Sequence, residues 1–166
     1  MHAGTAAGVT VRPARADDEE PLLRIDQATW SPLSSPAPAA PTGPFFNSRS
    51  TLDKIWVAEL EGRVAGYVKM EHPTELPASE HVWQINGLAV DPELGGRGIG
   101  QALMEAIVEE ARARGGRKIS LRVFAPNERA RRLYERVGFE VEGVLKGEFR
   151  VGDDYVDDLM MARDLS

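Results

Sequence analysis

Hydrophobic and polar positions along the chain follow two rhythms, and the switches between them outline the elements. Val9 to Pro13 alternates with the two-residue period of a strand. Asp17 or Asp18 then offers an N-cap to a helix whose first turns hold Glu20, Pro21 and the apolar set Leu22, Leu23 and Ile25. Prolines at 32, 36, 38, 41 and 44 exclude regular structure from 31 to 44 and predict a surface loop or lid. Leu52 to Lys54 reads as the end of a second helix. Two apolar runs, 54–60 and 64–70, flank the short turn Glu61-Gly62-Arg63 and predict a hairpin. A polar loop follows, then a strand over 82–90 whose Asn86-Gly87 marks a bulge or splay.

From position 99 the period lengthens. Ile99, Leu103, Ile107 and Ala111 recur at four-residue steps with Met104 and Val108 beside them, while Glu105, Glu109 and Arg112 hold the other side. Gly115-Gly116 ends this helix. Alternation returns at Ile119, Leu121 and Val123. Asn127 then caps a helix carrying Ala130, Leu133, Tyr134 and Val137, which Gly138 terminates. The last runs, 139–149 and 155–165, predict an antiparallel hairpin turning at Gly152-Asp153-Asp154. The expected organisation is a flexible terminus over residues 1–8 and one domain over 9–166.

The stretch between the strand at 82–90 and the helix at 99 is the densest in chemistry. Asp91-Pro92 ends the strand, and Gly95, Gly96, Gly98 and Gly100 surround Arg97 and Ile99 at the start of the helix. A helix N-terminus carries unpaired N–H groups and the positive end of the dipole, so it suits an anion, above all a phosphate. Residues without Cβ let such a group approach the backbone. A tight strand-to-helix turn with no ligand is the competing reading. The dinucleotide spacing G-x-G-x-x-G fails at Gln101, and no Gly-Lys-Ser/Thr is present.

Composition narrows the classes. No cysteine occurs, which removes disulfides, thiolate metal sites and a thiol nucleophile. His2, His72 and His81 show no metal spacing, and no metal is expected. The net charge of −6 argues against nucleic acid as a partner and suits an amine-bearing one. With no run of eighteen apolar residues and no signal-peptide pattern at the N-terminus, no membrane partner and a cytoplasmic location are expected.

The glycine loop and the later Asn127-Glu-Arg-Ala130-Arg-Arg-Leu133-Tyr134-Glu-Arg-Val-Gly138-Phe139 together resemble the GNAT acetyltransferase superfamily, over nearly the whole chain. That family pairs a pyrophosphate loop R/Q-x-x-G-x-G/A with a helix N-x-x-A-x-x-L-Y-x-x-x-G-F. The second signature is complete here. The first matches at Gly98 and Gly100 but has Gly95 at its opening position, with Arg97 as a substitute contact.

The resemblance implies an α/β fold of the α+β type: a mixed, mostly antiparallel, splayed sheet with helices on both faces. It implies acetyl-CoA as cosubstrate, with pyrophosphate on Gly95, Gly96, Arg97, Gly98, Ile99 and Gly100. Pantetheine amides would pair with the backbone of Leu88, Ala89 and Val90, and Asn127 would touch the cofactor besides capping its helix. Tyr134 would protonate the departing thiolate, although its spacing also suits core packing. The acceptor is expected to be a small-molecule amine or a protein N-terminus, acetylated directly in a ternary complex, and a homodimer is expected from the relatives. An amine near pKa 10 must shed a proton before attack. Candidate bases are Glu71, His72, Glu75, Glu80 and His81, because Gln84 and Asn86 stand in the strand where many relatives have glutamate. Asp153, Asp154, Asp157 and Asp158 would either attract a cationic acceptor or form a solvated hairpin tip. A CoA-binding sensor without turnover is the alternative function.

Overall fold

Eight strands lie side by side in the order β1-β2-β3-β4-β5-β6-β8-β7. The computed structural model describes residues 2–3 and 8–166. The strands are β1 (His2–Ala3), β2 (Val9–Pro13), β3 (Ile55–Leu60), β4 (Arg63–Glu71), β5 (Val82–Val90), β6 (Lys118–Phe124), β7 (Glu140–Val151) and β8 (Asp154–Asp164). The helices are α1 (Glu19–Thr29), α2 (Ile99–Ala113) and α3 (Glu128–Arg136). Of the terminus expected to be flexible, residues 1 and 4–7 lie outside the described residues, and His2–Ala3 pairs with Val11 and Thr10 of β2.

All neighbouring strands are antiparallel except β5 and β6, which α2 connects as a parallel βαβ unit. α1 and α2 cover opposite faces. One cluster unites Leu103, Met104 and Ile107 of α2 with Trp56, Val68, Ile85 and Met161 from the sheet. The other unites Leu22 and Ile25 of α1 with Phe45, Ile55, Val57, Tyr67 and Ala89. β3 shows why its sequence is a continuous apolar run: Ile55 and Val57 face α1 while Trp56 and Ala58 face α2, so both pleats are buried. α2 buries eight residues, wider than a simple four-residue stripe, because it lies across β2, β3 and β4.

Three expectations change in detail. Asp18 occupies the N-cap position of α1, yet its carboxylate accepts from the Arg12 guanidinium (2.8 Å) and from the Arg15 N–H (2.7 Å) rather than capping α1. Leu52–Lys54 is a single 3-10 turn with no helix before it, since the prolines keep the chain irregular from 31 onward. Asp158 is no part of a solvated tip: it lies mid-strand in β8, 2% exposed, and Arg122 grips it. Asp153 and Asp154 are exposed at the turn, and Asp157 accepts the Gly147 N–H at 2.9 Å.

The feature that positions the site is a parting of strands. β5 and β6 pair only from Val82↔Lys118 to Ile85↔Leu121. After Ile85, β6 continues on β8 alone, while β5 keeps β4 through a register shift that leaves Asn86 unpaired between Ile85 and Gly87. The bulge and the splay expected at Asn86-Gly87 therefore coincide. Among the described residues, no helix is long and apolar enough to cross a membrane.

Candidate active site

At the upper end of the parted strands, β5 gives way to the glycine loop. The Asp91 carboxylate, buried, accepts from the Glu93 N–H at 3.0 Å and pairs with Arg63 (3.0 Å) and Arg24 (4.0 Å). This anchors the 3-10 turn Pro92–Leu94. Gly96 (φ 78°) and Gly98 (φ 74°) then take left-handed conformations that other residues adopt at a cost. Gly98 is the N-cap of α2, and its carbonyl accepts from Ala102 N at 3.0 Å. The N–H groups of Ile99, Gly100 and Gln101 thus precede the first helical bond and have no partner inside the helix. The Ile99 side chain is buried in the core, so only its backbone is available.

Two arginines stand at this N-terminus. Arg97 is exposed within the loop. Arg129, in the first turn of α3, brings Nη2 to 3.8 Å from the point where a side chain at Gly95 would begin. Sequence reasoning missed Arg129, since nothing local says that α3 ends up over the loop. Gly100 is needed for that contact: a Cβ there would lie 3.2 Å from Leu133 Cδ2 of α3 and 3.8 Å from Val90 Cγ2. Its small size serves the packing of the two helices more directly than access for a ligand.

Leu88, Ala89 and Val90 line the opened edge. Leu88 and Val90 pack toward α2 and Ala89 toward α1, and their backbone has β4 on one side and no β6 partner on the other. Groups in that position need a partner from elsewhere. Across the gap, Arg122, Val123 and Phe124 of β6 line a cavity of ≈ 240 Å³ with Asn127, Tyr134, Phe149 and Asp158. Asn127 caps α3, accepting the Ala130 N–H at 3.3 Å. The Tyr134 ring packs beside Phe139, 6.3 Å between centroids, so the core-packing reading holds for the ring. Burial pushes the Tyr134 phenol up to about 12, and it is protonated at neutral pH.

A second cavity of ≈ 430 Å³ opens on the α1 face of β4 and β5, beneath the proline-rich segment. Glu19 ties that segment down by accepting the N–H groups of Phe45 (2.6 Å) and Phe46 (2.9 Å). Gln27 donates to the Pro41 carbonyl (2.9 Å) and the Trp30 indole to the Ala37 carbonyl (3.2 Å). Ser34 lines both cavities, so the segment bridges them. Inside, the Tyr67 hydroxyl donates to Asp26 Oδ1 at 2.5 Å, and desolvation together with the Asp26 charge holds that phenol well above its ordinary range. Sequence reasoning missed this pair because its members are 41 residues apart.

The five candidate bases fare unequally. Burial pushes the Glu71 carboxyl upward, but a 2.5 Å hydrogen bond from Asn86 and the charges of Lys69 and Lys54 win and hold it below its ordinary range. That makes it a weak proton acceptor. His72 stacks on Trp83 at 3.8 Å with Nδ1 2.8 Å from the Val82 carbonyl. Glu75, Glu80 and His81 are exposed in the β4–β5 loop. None of the five lines either cavity.

Comparison with known proteins agrees with this architecture. The sequence profile of the acetyltransferase (GNAT) family matches residues 20–139. An uncharacterized N-acetyltransferase of Methanocaldococcus jannaschii is 36% identical over 100 residues, 60% of this chain and 44% of its own length. The chain thus spans less than half of that relative. A putative ribosomal protein bS18-alanine N-acetyltransferase of Bacillus subtilis is 30% identical over 122 residues, covering 70% of this chain and 80% of that one. The L-amino acid N-acetyltransferase AaaT of Escherichia coli is 35% identical over 112 residues, 66% and 67% of the two chains. Among solved structures, a GNAT phosphinothricin acetyltransferase of Sinorhizobium meliloti in complex with acetyl-CoA superposes with TM-score 0.80 at 22% identity, covering 96% of this chain and 89% of that one. The chain belongs to the acetyltransferase (GNAT) family.

Proposed function

We propose that this chain transfers acetyl directly from acetyl-CoA to a primary amine held in the same cleft. The observation that carries the reading is the parting of β5 from β6, with a helix N-terminus at one end and the protonated Tyr134 among the β6 residues that have left β5. Acetyl-CoA supplies the thioester and a thiol leaving group. The α2 N–H groups and the loop Gly95–Gly100 cradle its pyrophosphate. Arg97 and Arg129 flank that cradle, Arg129 standing where the family motif would place a side chain at position 95. The open backbone of Leu88, Ala89 and Val90 pairs with the pantetheine amides as an added strand would. One of those N–H groups faces the thioester oxygen and stabilises the charge that develops there.

Tyr134 then acts as the acid. The neutral amine nitrogen bonds to the acetyl carbon, the carbon–sulfur bond breaks, and the phenol proton passes to the departing thiolate; the nitrogen then gives its extra proton to water, and the phenolate regains one from water. Without a cysteine in the chain, no thiol of the protein is available to carry the acetyl group between the two substrates. The test is release of CoA thiol from acetyl-CoA against amino acids, short peptides, polyamines and aminoglycosides. Acceptor-dependent release is the expected result. Acetyl-CoA that binds in a parallel titration without release by any amine would replace this reading with that of a CoA-binding sensor.

A further inference from the structure

The larger cavity has a charge at each of two places and apolar surface between them. Asp26 and Lys69 are the charged side chains that line it. Asp26 comes from α1, and its Oδ1 is occupied by Tyr67. A protonated phenol leaves the full negative charge in place, and Oδ2 has no partner among the described residues. Lys69 lies two residues beyond Tyr67 on the same face of β4, about 7 Å further along the strand. Its side chain is 14% exposed. The ammonium reaches Ser50 Oγ at 3.1 Å and Glu71 at 3.3 Å, which leaves one of its three N–H donors for a ligand. Glu71 is shared with Lys54, so two ammonium groups face one carboxylate and this end of the cavity stays positive. Gly87 and Ala89 form the floor between the two ends, on the strand edge to which the thioester arm is assigned above. Leu23, Trp30 and Phe45 supply the apolar wall.

We propose that the acceptor is an α-amino acid with an apolar side chain, its amine on Asp26 and its carboxylate on Lys69. This rests on the acetyl-transfer reading and names the substrate class of the same site. A polyamine would set a second ammonium against Lys69. A peptide N-terminus would present a neutral amide where a carboxylate is called for. Both therefore lose an interaction that the free amino acid keeps.

The experiment compares L-leucine, L-leucinamide and spermidine as acceptors by thiol release, in the wild type and in Lys69→Met and Asp26→Asn. The wild type is expected to favour leucine over leucinamide by at least about tenfold in kcat/KM, the order of one charge-assisted contact. Lys69→Met should erase that ratio, and Asp26→Asn should lower both substrates together while acetyl-CoA affinity holds. The amide arm guards against a misfolded variant, which would lower both acceptors and leave the ratio intact. Leucinamide or spermidine acetylated faster than leucine, or an unchanged ratio in a Lys69→Met variant whose leucinamide kcat/KM stays at the wild-type level, overturns the amino-acid assignment and leaves acetyl transfer standing. Calorimetric binding of leucine to the CoA-loaded protein that Lys69→Met abolishes, with no thiol release from any acceptor, overturns acetyl transfer and the acceptor role with it, and keeps only the amino-acid site on Asp26 and Lys69. Leucine neither bound nor acetylated overturns the assignment outright.

Discussion

The α2 end of the cleft and the cavity under the proline-rich segment are built from different material. At α2 the donors are backbone N–H groups, set by two left-handed glycines within eight residues of the strand that precedes them. In the cavity polar side chains come together from separate elements, among them Asp26 from α1, Ser34 from the strap, Tyr67 and Lys69 from β4, and Asn86 from the bulge in β5. The first arrangement depends on local conformation and, under the proposed function, would hold the part common to every acetyl-CoA. The second depends on packing between elements far apart in sequence, as in the contact of Tyr67 with Asp26 across 41 residues. A cofactor common to many enzymes suits the backbone, and a variable acceptor suits the side chains.

That division makes definite demands, and Tyr134 carries the largest. Tyr134→Phe is expected to lower kcat about 10²-fold, the lower range for loss of a general acid, while the acetyl-CoA Kd stays put in calorimetry. The phenol is raised to about 12, so its proton is present below that pH and lost above it. Wild-type kcat should therefore show no alkaline fall before roughly pH 11. Equal losses in kcat and acetyl-CoA affinity would return Tyr134 to a packing role.

Gly98→Val comes next. Forcing a β-branched residue to φ 74° costs about 2 kcal/mol, so acetyl-CoA binding should weaken roughly 30-fold if the loop relaxes away from its cradle shape. A thermal melt read beside the titration separates this from general unfolding. Unchanged affinity in a folded variant would mean that the loop backbone is no cofactor contact.

Removing residues 33–42 probes the other side. The acceptor KM should rise about tenfold, as expected for loss of one or two contacts, with acetyl-CoA affinity held. An unchanged acceptor KM would leave the strap with a structural role only. The smallest effect is assigned to Arg129→Ala, about fivefold in acetyl-CoA affinity and less in high salt, because the guanidinium is exposed and screened. No effect at low salt would place the compensation for Gly95 on Arg97 alone.

The strand and helix boundaries around the site were legible because each rests on neighbours in sequence. Val82 to Val90 ends at an Asp-Pro turn, Asn127 caps with its side-chain Oδ1, and Gly115 and Gly138 stop their helices at positive φ. Asn86-Gly87 announced an irregularity, and the register shift falls there. The acceptor side was illegible for the opposite reason. Asp26 reads as one more polar residue on an amphipathic helix until Tyr67 meets it across 41 residues. The candidate bases were drawn from the loop beside the strand, and neighbouring in sequence proved a poor guide: Glu71 is held ionised by two lysines and an amide, and His72 is locked against Trp83. Asp158 was grouped with the hairpin aspartates by adjacency, although alternation along β8 turns it inward to Arg122.

The family motifs and the order of elements were readable along the chain, because helix caps, glycine turns and two-residue alternation are short-range physics written in consecutive residues. Folding alone brought particular charges into one cavity, set Arg129 over the loop at Gly95 and laid the proline-rich segment across two pockets. Those outcomes follow from packing α1, α3 and the strap around an opened sheet, a long-range balance of burial and ion pairing that no window of the chain contains.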